Sequence, residues 1–436
     1  MAIFFGNDAV LKVAIVGFGT VGQSVARILG TGDGRPLRLT HVCNRDVNRK
    51  RTSAVWTPDD LVWTSDFADV LDSDADIVVE LIGGTHPAAD WIRQALEAGK
   101  SVVTANKQVI AESGAQLLDV AAEHRRHLLF EAAVAGGVPI IRAVREGLAG
   151  DRLCRVAGVL NGTCNYILTR MEREPELSFD AVLAEAQEKG FAEADPTADI
   201  DGGDAGAKLA ILAAVGLGRR LDASTIPLRS IRPVEPIDFV YARRLDSTIR
   251  QVSHAELVNG GGDDRITASV QPMLVPIRSP MARAEGSQNV VVVEGSHGGE
   301  TAFRGFGAGG NPTAVAVVSD LEAIARIGSE APPLRTPVPP RAEIEADFVA
   351  PQYLRFVVVD RPGIIAAIAE VCLRHELNFD SVLQVPGYSK SELPFVVTLE
   401  PCRTDVVQAA LAEIAAFDFH ARPPVWMPIL LPGDRR

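Results

Sequence analysis

The 436-residue sequence predicts an α/β protein in three parts: a doubly wound parallel sheet, an α+β middle domain and a small ferredoxin-like βαββαβ domain at the C-terminal end. Three observations carry that prediction. Short apolar strands alternate with helical patterns up to about residue 135, the rhythm of βαβ units. From Arg152 to Gln251 helices mix with β-type runs such as Leu153–Leu160. Beyond Pro332–Pro340, a proline run that forms neither helix nor central strand, the apolar runs read strand, helix, strand, strand, helix, strand. The expected boundaries are residues 1–135, with 305–330 packing back onto them, then 136–304, a proline-rich linker over 331–351, and 352–436.

The elements justify themselves in order. Leu11–Val16 is a short apolar strand, and Gly17-Phe18-Gly19-Thr20-Val21-Gly22 leads from it into a helix. That is the dinucleotide fingerprint: the first glycine makes the tight turn, the second admits a pyrophosphate to the backbone, and the third lets helix and strand pack closely. The second strand, Leu37–Cys43, ends in Asn44, Arg45 and Asp46. Arginine at this position suits a ribose 2′-phosphate and an acid suits a 2′-hydroxyl, so Arg45 favours NADP while Asp46 leaves NAD open. Arg49, Lys50 and Arg51 read as solvated loop charges.

Ser101–Thr104 is a strand running into Asn106 and Lys107, which places Lys107 at the carboxyl edge of the sheet, where ligands of such folds lie. Glu131 precedes a glycine-rich loop ending at Pro139, where exposed carbonyls suit a hard cation, although spacing alone favours a plain loop. Asp204 and Lys208 lie one turn apart on the helix that runs through Ala207–Gly218, which is apolar all round. A charge pair there is drawn partly out of water, and Glu193, Asp195, Asp199 and Asp201 crowd just upstream. A lysine so placed is a proton-transfer group or a structural ion pair, and local sequence does not choose between them.

Beyond residue 352, Tyr353–Val359, Asn378–Val385, Pro394–Leu399 and Val425–Leu431 read as strands. Ile364–His375 and Thr404–Phe417 read as helices.

Composition excludes several classes of partner. A net charge of −13 with no long basic run argues against nucleic acid and anionic membranes. The longest apolar segment, near Leu209–Leu217, is too short to span a bilayer, and the first residues lack a signal-peptide pattern. Five cysteines without metal or disulfide spacing fit a reducing cytoplasm, and the eight scattered histidines suggest no zinc site.

Several segments resemble those of the homoserine dehydrogenase family. They are Gly17–Gly22, Thr104–Lys107, Glu131–Pro139, Leu160–Ile167, Gly190–Asp199, Asp204–Lys208 and Phe306–Ala314, in the family's order over roughly residues 10–325. The resemblance implies reversible NAD(P)-dependent interconversion of L-aspartate 4-semialdehyde and L-homoserine in threonine, methionine and isoleucine biosynthesis. It implies Lys208 as the acid/base group aided by Lys107, with Asp204 orienting Lys208. Glu193 and Asp199 hold the substrate's amino end, and Gly162 and Thr163 border the substrate. Gly17–Gly22, Arg45, Thr104, Lys107, Gly190, Gly307 and Gly309 meet the cofactor. Glu131 with the carbonyls of Val134, Gly136 and Val138 matches the family's sodium site. The tail around Asp360–Gly363 resembles an ACT domain, which implies an amino-acid effector, threonine in this family, and an assembly of two or four chains.

Two departures from the family pattern are Gly203 and Gly206, and the tail loop Pro386–Lys390 is atypical as well. The rival readings are a different small-aldehyde dehydrogenase and a non-catalytic nucleotide or amino-acid sensor. Cys164 invites a phosphorylating aldehyde dehydrogenase but lacks a histidine nearby in sequence. The sensor has no use for Lys208.

Overall fold

The computed structural model describes residues 10–31, 34–258, 264–328, 338–345 and 348–431. In chain order the elements begin with β1 (Leu11–Val16), α1 (Thr20–Leu29), β2 (Leu37–Cys43), α2 (Val47–Ser53), β3 (Val62–Thr64), α3 (Phe67–Leu71), β4 (Ile77–Glu80), α4 (Ala88–Glu97), β5 (Ser101–Thr104), α5 (Lys107–Glu123), β6 (Leu128–Leu129) and α6 (Ile140–Arg142). Then come β7 (Leu153–Val159), α7 (Gly162–Arg173), α8 (Phe179–Glu188), α9 (Thr197–Ile200), α10 (Gly203–Leu212), α11 (Pro236–Arg244), β8 (Ser247–Leu257), β9 (Arg265–Pro276), β10 (Gln288–Gly295), β11 (Gly299–Phe306) and α12 (Gly310–Ile327). The last are β12 (Glu343–Glu345), β13 (Val349–Val358), α13 (Ile364–Arg374), β14 (Phe379–Gln384), β15 (Leu393–Arg403), α14 (Thr404–Ile414) and β16 (His420–Pro428).

These elements pack as two units. One comprises the chain up to Arg152 with Ala207–Ser224 and Phe303–Ala342; the other comprises Leu153–Gly206, Thr225–Ala302 and the chain from Glu343 onward. The first unit holds a parallel sheet in the order β3-β2-β1-β4-β5-β6. Strands β4 and β5 are buried at every residue, as apolar runs covered on both faces must be. Val13, Ile15, Val79 and Val103 of the sheet pack with Val25 of α1 and with Val317, Leu321 and Ile324 of α12. Each such side chain contributes roughly 1.5–3 kcal/mol by leaving water. The strand order reverses between β1 and β4, the point outside which ligands of such sheets bind.

The second unit is built on a mixed sheet, β11-β10-β7-β8-β9-β12, antiparallel through β10, β7, β8 and β9. Its core joins α7, α8 and α11 to Tyr353, Val396 and Met427 of the C-terminal residues. Those residues form an antiparallel sheet, β14-β15-β13-β16, whose own core includes Ile368 of α13 and Val407 of α14. Just past β16, Leu430 donates its backbone N–H to the Leu274 carbonyl at 2.8 Å, and the Arg229 guanidinium lies over the Trp426 ring. The C-terminal residues therefore share a core and backbone hydrogen bonds with the mixed sheet.

The stretch expected as a linker over 331–351 needs correction. Within it, Glu343–Glu345 forms β12 and pairs in parallel with β9, and Val349 opens β13. Pro340 accepts a hydrogen bond from the Arg220 backbone. Residues 331–337, 346 and 347 lie outside the described ones. The charges of Glu343 and Glu345 conceal the strand, which its partner β9 decides. Arg49, Lys50 and Arg51 also leave the expected loop, because Asp46 caps the surface helix α2 that carries them.

Helix α10 begins at Gly203, continues as a wider turn over Ala213–Leu217 and stops at the left-handed Gly218 (φ +61°). A Cβ at Gly206 would meet only the tip of Leu228, at 3.3 Å, and that side chain is 40 % exposed and free to give way. Gly206→Ala is therefore expected to stabilise the protein by up to about 1 kcal/mol. Urea unfolding checks this, and an unchanged or lowered midpoint would contradict it.

Candidate active site

Backbone geometry at the carboxyl end of β1 explains each glycine of the turn. Gly17 has φ +101° and sits so near Leu81 that a Cβ would lie 2.7 Å from its carbonyl carbon. A Cβ on Gly22 would lie 2.4 Å from the Gly17 carbonyl oxygen, so α1 can pack this closely only on glycine. At Gly19, the N-cap of α1, a Cβ would meet nothing within 4 Å, and no side chain caps the helix. The first amides of α1 thus carry no side-chain cap, and a helix N-terminus of this kind suits an anion at its positive dipole end. Thr20 is exposed and Val21 half-buried, whereas the Phe18 ring is wholly buried edge-on against Trp63. Phe18 therefore offers the site only its backbone. Gly309 (φ +116°) is the uncapped N-cap of α12, and the Gly307 carbonyl leaves no room for a side chain at Gly136.

Arg45 stands exposed between β2 and α2. Asp46 is engaged locally: it accepts the Arg49 backbone N–H at 3.3 Å and pairs with the Arg49 side chain at 2.9 Å.

The ends of β4 and β5 are tied together by a carboxylate that sequence reasoning missed. Glu80 is 1 % exposed; it accepts the Ile82 N–H at 2.8 Å and the Thr104 hydroxyl at 2.6 Å. The Thr104 oxygen accepts the Asn106 N–H, and the Asn106 side chain both caps α5 at Val109 and donates to the Gly84 carbonyl. Half-buried Lys107 is thereby fixed as the first residue of α5. A glutamate closing a buried strand, Ile77–Glu80, was the available signal, since such a charge demands partners.

Glu131 is 4 % exposed, and its two carboxylate oxygens accept the Ile141 and Arg142 N–H groups at 2.7 and 2.9 Å. Its own N–H donates to Asp320, which also pairs with the Arg142 guanidinium at 2.8 Å. Burial raises the Glu131 carboxyl and pushes Asp320 up to about 7. Between Val134 and Val138 the chain passes through two successive left-handed residues, Ala135 and Gly136, which reorients the backbone carbonyls around them.

In the second unit the carboxylates gather differently from the expected crowd. Asn161 caps α7, accepting the Cys164 N–H at 2.8 Å, and donates from its amide nitrogen to Asp199 at 2.7 Å and Asp204 at 2.9 Å. Cys164, buried, directs its thiol at the Asp199 carbonyl, so it is a structural thiol and not a nucleophile facing solvent. Thr163 donates to the Phe191 carbonyl, and a Cβ at the neighbouring Gly162 would come 3.0 Å from the Ser287 carbonyl oxygen. Asp195 and Asp201 are exposed, and Asp195 serves the local turn at Thr197. Glu193 is exposed too, and its backbone carbonyl accepts from Gln187 Nε2 at 3.0 Å. Gly190 (φ +74°) ends the turn after α8 in the same unit. Asp204 is half-buried on α10, and Lys208, also half-buried, follows one turn later on the same helix in residues belonging to the first unit.

A glycine turn opening on uncapped amides, at the reversal of a 3-2-1-4-5-6 sheet, defines a dinucleotide-binding oxidoreductase. The model of the homoserine dehydrogenase NAD-binding domain matches residues 17–131, and that of homoserine dehydrogenase itself matches 139–321. The chain belongs to the homoserine dehydrogenase family and has that enzyme's function. The homoserine dehydrogenase of Synechocystis is 37% identical over 422 residues, covering 94% of this chain and 96% of its own. That of Mycobacterium tuberculosis is 40% identical, covering 87% of each. Among solved structures, the enzyme of Thiobacillus denitrificans superposes with a TM-score of 0.87 at 34% identity, covering 96% of this chain and 98% of its own. A hyperthermophilic archaeal homoserine dehydrogenase in complex with NADPH gives 0.62 at 27% identity, covering 76% and 99%.

Proposed function

We propose that the chain reduces L-aspartate 4-semialdehyde reversibly to L-homoserine with NADPH, and that Lys208 is its acid/base group. The observation that carries this reading is α10 itself: a half-buried carboxylate and a half-buried ammonium one turn apart on an otherwise apolar helix. Reduction of an aldehyde leaves an alkoxide that needs a cation and a proton, and one ammonium supplies both. The nicotinamide, when bound, supplies the hydride. Lys107 aids Lys208, Asp204 orients it, and Asp199 with Glu193 receives the substrate's ammonium, while Gly162 and Thr163 border the substrate. Gly17–Gly22, Thr104, Gly190, Gly307 and Gly309 would hold the dinucleotide, and the open space before Gly19 fits its pyrophosphate.

NADP is favoured over NAD because Arg45 is exposed at the end of β2 while Asp46 is engaged as a helix cap. Glu131 and the carbonyls of Val134, Gly136 and Val138 would hold a sodium ion, whose preference for oxygen ligands suits one buried carboxylate and carbonyls turned by left-handed residues. The βαββαβ tail, with its sheet order β14-β15-β13-β16, supports an ACT domain that binds an amino-acid effector such as threonine. A homodimer or homotetramer is the assembly proposed, and five free cysteines support a cytoplasmic location. The chain is proposed to divide into a nucleotide-binding domain over residues 1–135, with 305–330 packing back onto it, a substrate domain over 136–304 and an ACT domain over 352–436.

The test is oxidation of NADPH and of NADH by the purified enzyme with L-aspartate 4-semialdehyde. Turnover faster with NADPH is expected, and Arg45→Ala is expected to cut the NADPH-to-NADH ratio of kcat/KM about tenfold, the worth of one charge-assisted contact. Folded protein that binds NADPH and turns nothing over would sink the reading. An unchanged ratio in the variant would remove Arg45 from cofactor selection.

A further inference from the structure

We infer that Asn161 is a positioning residue that clamps Asp199 and Asp204 into one arrangement; the inference rests on the acid/base reading given above. The orientation of its amide is decided by chemistry. The carbonyl oxygen must face the Cys164 N–H, a donor, so the NH2 group faces the two carboxylates, which only accept. Both N–H bonds are thereby used, at 2.7 and 2.9 Å, on residues 38 and 43 positions downstream. Asn161 itself is 3 % exposed, so its amide meets little competition from water, while the two carboxylates it holds are half-buried.

Two carboxylates drawn to one nitrogen repel each other, and the bridging amide offsets that repulsion with two hydrogen bonds to charged acceptors. The same turn also holds the Asp199 backbone, whose carbonyl accepts from the Cys164 thiol at 3.1 Å and from Gln251 Nε2 at 3.3 Å. Asp204 lies one turn before Lys208 on α10, and Asp199 sits on α9. A single side chain therefore fixes the residue proposed to orient the proton donor and a residue proposed to receive the substrate's ammonium. Both jobs are weakened together when it is lost.

The experiment must separate the clamp from the helix cap. Asn161→Ala removes both. Asn161→Ser keeps a cap nearly as good as asparagine and removes the double donor. If the clamp is real, both variants lower kcat by about tenfold or more and raise KM for the semialdehyde, the loss expected for hydrogen bonds to charged groups. The Kd for NADPH stays within about twofold of wild type, because fold and cofactor site are untouched. A serine variant with wild-type kcat and KM overturns the inference and leaves Asn161 a helix cap. Should the alanine variant not fold, the serine variant carries the test. A crystal structure of Asn161→Ser answers independently of turnover: Asp199 and Asp204 moved apart support the clamp, and unmoved carboxylates overturn it. If wild type itself lacks turnover, the acid/base reading fails, and the crystal structure still decides the clamp.

Discussion

Replacing Lys208 with alanine is expected to cut the turnover of L-aspartate 4-semialdehyde by about 10²–10⁴-fold, the usual worth of a positioned general acid. In the proposed role two contributions vanish together: the proton for the developing alkoxide and the charge that stabilises it. Lys208→Arg separates them. Guanidinium keeps the charge but releases no proton at accessible pH, so the arginine variant should remain slow. Binding of NADPH should hardly change in either variant, and kcat should fall far more than KM rises. Steady-state kinetics with an independent NADPH Kd make the check. Full activity in Lys208→Ala would reduce the lysine to a structural ion pair on α10.

The largest effect on stability is expected at Arg355. This arginine is 1 % exposed, pairs with Asp238 at 2.7 Å and Glu235 at 3.3 Å, and donates to the Pro233 carbonyl at 3.0 Å. Asp238 is wholly buried and also accepts the Tyr353 hydroxyl at 2.7 Å and the Glu235 N–H at 2.8 Å. Arg355→Met fills the volume but leaves Asp238 a buried charge without its counter-ion, at a cost of about 3–5 kcal/mol. That corresponds to a fall in Tm of roughly 10 °C for a unit of this size.

The variant's stability should also depend on pH. Burial already raises the Asp238 carboxyl, and loss of the guanidinium raises it further. The folded variant then holds a proton that the unfolded chain has released, so its stability falls as pH rises from the ordinary carboxylate range toward the raised folded-state value. Adding Asp238→Asn should recover much of the loss, because the uncompensated charge is gone. Calorimetry at pH 5 and pH 8 on the single and double variants makes the comparison. A single variant as stable as wild type at both pH values would show that the pair contributes little beyond its volume.

Short-range physics makes much of this protein legible in its amino-acid order. The run Leu11–Val16, the turn at Gly17–Gly22 and the following helix are specified within a few residues, and β2 occupies Leu37–Cys43 as the alternation and its flanks require. Asn106 capping α5 behind Lys107 is equally local, since the cap reaches only three residues ahead. In the C-terminal residues the period-2 and period-3.6 patterns place every strand and helix to within a few positions. The largest discrepancy is the start of β16, whose Arg422, Pro423 and Pro424 mask the strand pattern at His420–Pro428.

What the sequence determined by itself is therefore the parallel-sheet frame, the glycine turn and the apolar helix that carries Asp204 and Lys208. The tertiary structure alone decided which charges are withdrawn from water and what answers them. Glu80 meets Thr104 across 24 residues, Asn161 bridges Asp199 and Asp204, and the Asp320 carboxylate accepts the Glu131 backbone N–H across 189 residues. It also leaves Glu193, Asp195 and Asp201 exposed while half-burying Asp199 and Asp204, a difference that spacing alone does not show. The reason is physical. Helix and strand periods are set by neighbours along the chain, whereas the cost of burying a charge depends on partners that only folding brings within hydrogen-bonding distance.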